Sequence, residues 1–134
     1  MDVKNLIRCI FSVIFLAGGI MHIYLITSSP ALYESFADFS FLEVYTSMWH
    51  SIILPNLSIW VSVLIVFEFA VSILLVNRDP FARIGFILAA IFILFLVPFW
   101  WNGGAIINIV FFIVVVWLLR YRYPRSIPAL LRKK

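Results

Sequence analysis

Apolar residues run along this chain in four long blocks, with neither the alternation of a half-buried strand nor the narrow stripe of a soluble amphipathic helix. The blocks cover about 6–26, 57–76, 81–99 and 105–121, and short polar stretches separate the last three. A run of twenty residues at ~1.5 Å each spans about 30 Å, the thickness of a bilayer's hydrocarbon core. The pattern therefore predicts an all-α membrane protein with four spanning helices in one domain, 1–134. The first block follows a basic start, as in a secretory signal, but it exceeds an h-region of about 7–15 residues and lacks an A-x-A site. It reads as a retained span.

Between the first two spans, an outer segment at 29–54 predicts one or two short amphipathic helices on the membrane surface, with a lid over a cavity as the functional alternative. Ser29-Pro30 has the form of a helix start, a capping hydroxyl before a fixed φ. Ser40 and Glu43 match the S-x-x-E capping box. Leu42, Tyr45, Met48, Trp49, Ile52 and Ile53 then recur at helical spacing, and Pro55 is expected to end the segment. Asn56 is placed to cap the second span, and Asp79 to cap the third with Pro80 in its first position. Trp100 to Gly104 reads as an aromatic-rich loop, and Pro124 and Pro128 as stops before a basic tail.

Charge adds a direction. Lys4 and Arg8 open the chain, Arg78 and Arg83 lie between spans two and three, and the other six of the ten basic residues follow span four. All fall on one side of the membrane, so the positive-inside rule predicts cytoplasmic termini in a plasma or inner membrane. The net charge of +4 flanks apolar blocks rather than forming a soluble basic face, which argues for the lipid bilayer as partner and against nucleic acid. Cys9 stands alone and reads as a small apolar filler.

Chemistry is expected where polarity interrupts the hydrocarbon: His22, Glu68 and Asn108. An acidic residue at mid-span costs roughly 2.5–3.5 kcal/mol on insertion scales and faces protein or water rather than acyl chains. Counted from the cytoplasmic ends at ~1.5 Å per residue, Glu68 lies about 12 Å deep, Asn108 about 16 Å and His22 about 24 Å. The count brings Asn108 near enough to Glu68's level for a hydrogen bond and puts His22 out of direct reach unless the helices tilt or their ends shift. The three form a polar track for a ligand or a proton, or a set of bonds that holds the bundle together. Gly18, Gly19, Gly85 and Ala89 remove bulk where helices meet. Met21, His22, Met48 and His50 match no compact metal site, and none is expected. Glu34, Asp38 and Glu43 read as a solvated face.

These residues carry a resemblance. Ala17-Gly18-Gly19-Ile20-Met21-His22 in span one, Leu54-Pro55-Asn56 before span two, Phe67-Glu68 within it, Arg78 after it and Pro98 ending span three resemble the DoxX-like family of small integral membrane proteins. The resemblance implies an antiparallel four-transmembrane-helix bundle. It also implies a place beside redox enzymes such as thiosulfate–quinone oxidoreductases, or a part in assembling other membrane proteins. On that basis the chain is expected to be an accessory subunit of a redox-linked membrane complex, not catalytic alone, with a pocket at Glu68 for a small hydrophobic or quinone-like molecule. A structural or assembly protein and a small proton-coupled transporter are the rivals. Four spans are few for one chain, so an oligomer or a membrane or redox protein partner is expected.

Overall fold

The structure is a computed structural model that describes residues 1–99 and 103–132. The described residues form helices α1 (Val3–Ser28), α2 (Glu43–Met48), α3 (Leu57–Val76), α4 (Phe81–Leu96), α5 (Gly103–Leu118) and α6 (Ile127–Leu131). Three helical runs, Val3–Ser28, Glu43–Val76 and Phe81–Phe99, are long and apolar enough to cross a membrane, and Gly104–Leu118 is a shorter apolar fourth.

Cross-contacts show neighbouring helices running in opposite directions. On α1 and α3, Arg8 meets Asn77, Ser12 meets Ser72, and His22 meets Glu68. On α3 and α4, Phe67 meets Phe92 while Gly85 lies against Leu74 and Leu75. Phe11 meets Phe111, and Lys4 lies over Tyr121, on the α1–α5 side. The core holds Phe11, Phe15, Val71, Leu75, Phe86 and Ile93, with Ala89 fully buried among them. Outward-facing positions are apolar as well, including Val13, Val63, Val66, Ile73, Ile91 and Ile113. Large apolar faces of this kind are matched by lipid rather than water.

Gly85 sets the α3–α4 spacing. A Cβ there would lie 3.0 Å from Leu74 Cβ and 3.1 Å from the Leu75 backbone nitrogen, atoms that cannot turn away. Gly85→Ala is expected to force the helices apart and cost about 1–3 kcal/mol, read as a lower melting temperature in detergent.

The outer segment departs from expectation. Pro30–Tyr33 is a single 3₁₀ turn with Pro30 at its start, and Ser29 makes no side-chain cap. The Ser40–Glu43 box is not formed. The Phe41 N–H, which would open such a helix, bonds to Pro98 O at 3.3 Å, so α2 begins at Glu43 and Ser40 Oγ accepts from Leu42 N instead. Nor does the segment end at Pro55. A π turn (Trp49–Ile53) and a 3₁₀ turn (Leu54–Asn56) carry the helix past the proline, which cannot donate a hydrogen bond, into α3. Asn56 does not cap α3; its amide donates to Ile52 O. At 34 residues the combined helix is about 50 Å long, so part of it must project beyond a hydrocarbon core.

Three further boundaries also shift. Pro80, not Asp79, occupies the N-cap of α4. Asp79 exchanges bonds with the tail instead: Tyr123 N donates to its carboxylate at 2.8 Å, and its own N–H donates to Tyr123 O at 2.9 Å. α5 starts at Gly103, inside the expected loop, whose remaining residues 100–102 lie outside the described set. It stops at Leu118 rather than 121 because the chain turns back and the Tyr123 hydroxyl donates to Leu118 O at 2.9 Å. Pro128 does not prevent a helix; it sits in the first turn of α6, where a missing N–H is tolerated.

Candidate functional site

Ser12 and Ser72 fix the register of α1 against α3. Each hydroxyl donates to the other residue's backbone carbonyl, at 3.0 and 2.9 Å. Up the pair, Glu68 lies 5 % exposed with its carboxyl on the bare Cα of Gly18; a Cβ there would stand 2.7 Å from Oε1. Gly19 makes similar room for the Phe69 ring. Gly18 thus makes space for a functional group as well as for a helix.

His22 reaches this carboxyl. Its Nε2 lies 4.0 Å from Glu68 Oε1, where a depth count from the helix ends placed the two about 12 Å apart. The reason is directional. Side chains tilt toward the N-terminus of their own helix. In an antiparallel pair those N-termini are at opposite ends, so His22 reaches down while Glu68 reaches up. Register closes the rest of the gap, because Arg8, not Leu6, is level with the end of α3.

On the far side of the imidazole, His22 Nδ1 is 2.6 Å from the Tyr33 hydroxyl, and the two rings stack at 5.9 Å. Burial, and secondarily Glu68, raise the Tyr33 phenol above the ordinary tyrosine value of 10.0. Tyr33 therefore keeps its proton and donates to Nδ1, which leaves the proton of a neutral ring on Nε2, facing Glu68. The Trp49 indole donates to Tyr33 O at 2.8 Å, so the π turn holds the tyrosine in place. Tyr33, His22 and Glu68 form a line of exchangeable protons with one 4.0 Å gap, the span of a small side-chain movement. Glu68 Oε2 is buried with no hydrogen-bond partner among the described residues.

The line opens on a cavity of about 410 Å³ walled by His22, Tyr33 and Ser35 and by the apolar Leu25, Leu32, Phe36 and Phe39. Asn108 is elsewhere and makes no bond to Glu68. It lines a separate cavity of about 200 Å³ with Phe36, Leu96 and Phe99. The depth count held it level with Glu68 but gave no information on which face of α5 it occupies. His50 and Asp38, on the outer segment, approach to 3.6 Å as an exposed pair. Among the described residues no three His, Cys, Asp or Glu side chains converge as a metal site.

Tyr33 and Arg8 were not singled out from sequence. Tyr33 gives no local signal, since its contacts follow from the turn at Pro30. Arg8 did give one, a charge inside an apolar run. Its guanidinium is 0 % exposed, donates to Asn77 O at 3.3 Å and Arg125 O at 3.1 Å, and lies 4.7 Å over the Tyr123 ring. The Tyr123 phenol is raised well above the ordinary range, first by burial.

The two raised tyrosines predict an alkaline limit. Above pH about 10 the unfolded chain releases phenol protons that the folded chain retains, so stability falls as pH rises through that region. Melting curves should show this slope, and it should diminish in Tyr33→Phe. Compared with protein-family models, with curated proteins and with solved structures, the chain has no match.

Proposed function

We propose that this chain is a multi-pass membrane protein that binds a small apolar molecule with a hydrogen-bonding oxygen, of quinone type, and exchanges a proton with it through Tyr33, His22 and Glu68. One observation carries this reading: a carboxyl buried at span depth is joined by an imidazole and a phenol to the polar wall of a mostly apolar cavity. A volume of about 410 Å³ is in the range of ligand pockets, and a few convergent polar groups in an apolar wall are their usual lining. Leu25, Leu32 and Phe39 suit a ring or prenyl chain, and the Tyr33 hydroxyl, which would turn its proton from His22 Nδ1 to the ligand, suits an oxygen. A quinone would supply carbonyl oxygens that accept hydrogen bonds and take up protons on reduction.

In this reading the chain is an accessory subunit beside a redox enzyme of the membrane, consistent with the DoxX-like features of its sequence. Both termini face the cytoplasm, as the basic residues favour. The site then opens toward the outer face.

The test is titration of the detergent-solubilised protein with a short-chain benzoquinone. Tyr33→Phe and His22→Leu should each weaken binding by about fivefold or more, the effect of one lost hydrogen bond. Glu68→Gln keeps the shape and the hydrogen bonding and should keep affinity, while slowing proton delivery to the bound quinone when added dithionite supplies its two electrons. Unchanged affinity in both Tyr33→Phe and His22→Leu would exclude the pocket as the binding site. If those and the Glu68 variants altered only expression, a structural or assembly role would stand instead.

A further inference from the structure

A further cavity, of about 230 Å³, lies at the end of the bundle that holds both termini. Lys4 and Asn5 reach it from the first turns of α1, and Arg122 and Arg125 from the tail after α5. Its walls come from residues more than a hundred positions apart, so it exists only in the folded chain.

Charge in this cavity is unbalanced. Asp2 is the acid on its rim, held below the ordinary carboxylate range by the Asn5 N–H bond at 3.0 Å that caps α1. Asp2 also accepts from the Asn5 amide at 2.7 Å and faces Lys4 at 3.9 Å. Arg122 and Arg125 have no ion pair among the described residues. One turn deeper, the buried Arg8 donates to the Arg125 carbonyl and also lacks a carboxylate within 4.0 Å. Asp79, the other acid at this end, is engaged by Tyr123 N. Four cations thus gather against two acids.

The surroundings are apolar. Leu130 of α6 lines the cavity, and Leu6 and Ile10 are exposed on α1 as it leaves this end. An anion bound here lies at the end of a helix whose exposed residues are apolar. Guanidinium forks suit phosphate oxygens, and basic residues at the end of a spanning helix lie at headgroup level.

We propose that Lys4, Arg122 and Arg125 bind the phosphate of an anionic lipid headgroup in this cavity, with the acyl chains lying along the exposed apolar side of α1. The proposal is independent of the quinone-type site at the opposite end.

Thermal melts and native mass spectrometry of the full chain in detergent test it, with phosphatidylglycerol, phosphatidylcholine and inorganic phosphate as separate probes. Phosphatidylglycerol should raise the melting temperature and remain bound, and phosphatidylcholine should do neither. Arg122→Gln with Arg125→Gln should weaken phosphatidylglycerol by about fivefold per basic residue removed. Arg120→Gln, outside the cavity, should leave binding unchanged. Asp2→Asn keeps a capping oxygen while removing the opposing charge, and should tighten binding. Equal stabilisation by inorganic phosphate, lost in the same double variant, would support the phosphate site and make free phosphate its source. Equal effects of phosphatidylglycerol and phosphatidylcholine would overturn the proposal. So would phosphatidylglycerol binding indifferent to the double variant, or, should that variant fail to fold, indifferent to Asp2→Asn.

Discussion

Replacing Arg8 with alanine is expected to lower the stability of the bundle by about 3 kcal/mol, more than any other single change considered for this chain. Truncation leaves the Asn77 and Arg125 carbonyls without their donors, at roughly 1 kcal/mol each. It also removes a cation from the Tyr123 ring, worth roughly 1 kcal/mol when partly desolvated, and leaves a void against that ring. Three parts of the chain separate at once, because this guanidinium is where α1, the end of α3 and the C-terminal tail meet. Arg8→Lys should fall between alanine and wild type, since an ammonium can reach one carbonyl but can neither bridge both nor stack as a planar group. Arg8→Met, which restores volume without donors, separates packing from hydrogen bonding. Melting temperatures in detergent give the ranking, and limited proteolysis between 120 and 132 reports release of the tail. A tail that stays protected in Arg8→Ala would show that other contacts hold it.

The same residue marks how far the sequence can be read. Hydropathy located the helices well: the expected 57–76 coincides with α3, and 81–99 with α4 and the 3₁₀ turn after it. These limits depend on a local property, the length of an apolar run. Capping failed wherever a tertiary partner competed for the same group. Phe41 N–H was taken by Pro98 O, and the Asp79 carboxylate by Tyr123 N. The motifs at Ser40–Glu43 and Asp79–Pro80 contain no hint of those rivals. At the site, Glu68 was conspicuous because a carboxyl in an apolar run is costly. Its neighbour was misjudged because counting rises along helix axes ignores the tilt of side chains, which in an antiparallel pair brings His22 and Glu68 together. The Asn108–Glu68 bond is not made for the complementary reason: equal depth carries no information on azimuth.

Gly18→Ala is expected to leave the bundle as stable as before, or slightly more so, while disabling the site. Alanine within a helix is favoured over glycine by about 1 kcal/mol. The new methyl would stand 2.7 Å from Glu68 Oε1 and 3.0 Å from Cδ, atoms at the end of a flexible side chain that can swing away. Helix packing therefore survives, and the carboxyl leaves its place opposite His22 Nε2. Proton exchange between the cavity and Glu68 should then be lost, with a fall in rate of tenfold or more as the 4.0 Å gap widens. A double-mutant cycle separates this from an unrelated effect at Gly18. In a Glu68→Ala background there is no carboxyl to displace, so adding Gly18→Ala should contribute only its helix preference. The coupling between the two positions should be about 1 kcal/mol in stability, within the range for residues in contact. Additive behaviour would mean that the carboxyl is not seated on Gly18. A Gly18→Ala protein that melts lower than wild type would place the glycine's role in helix approach rather than in making room for the acid.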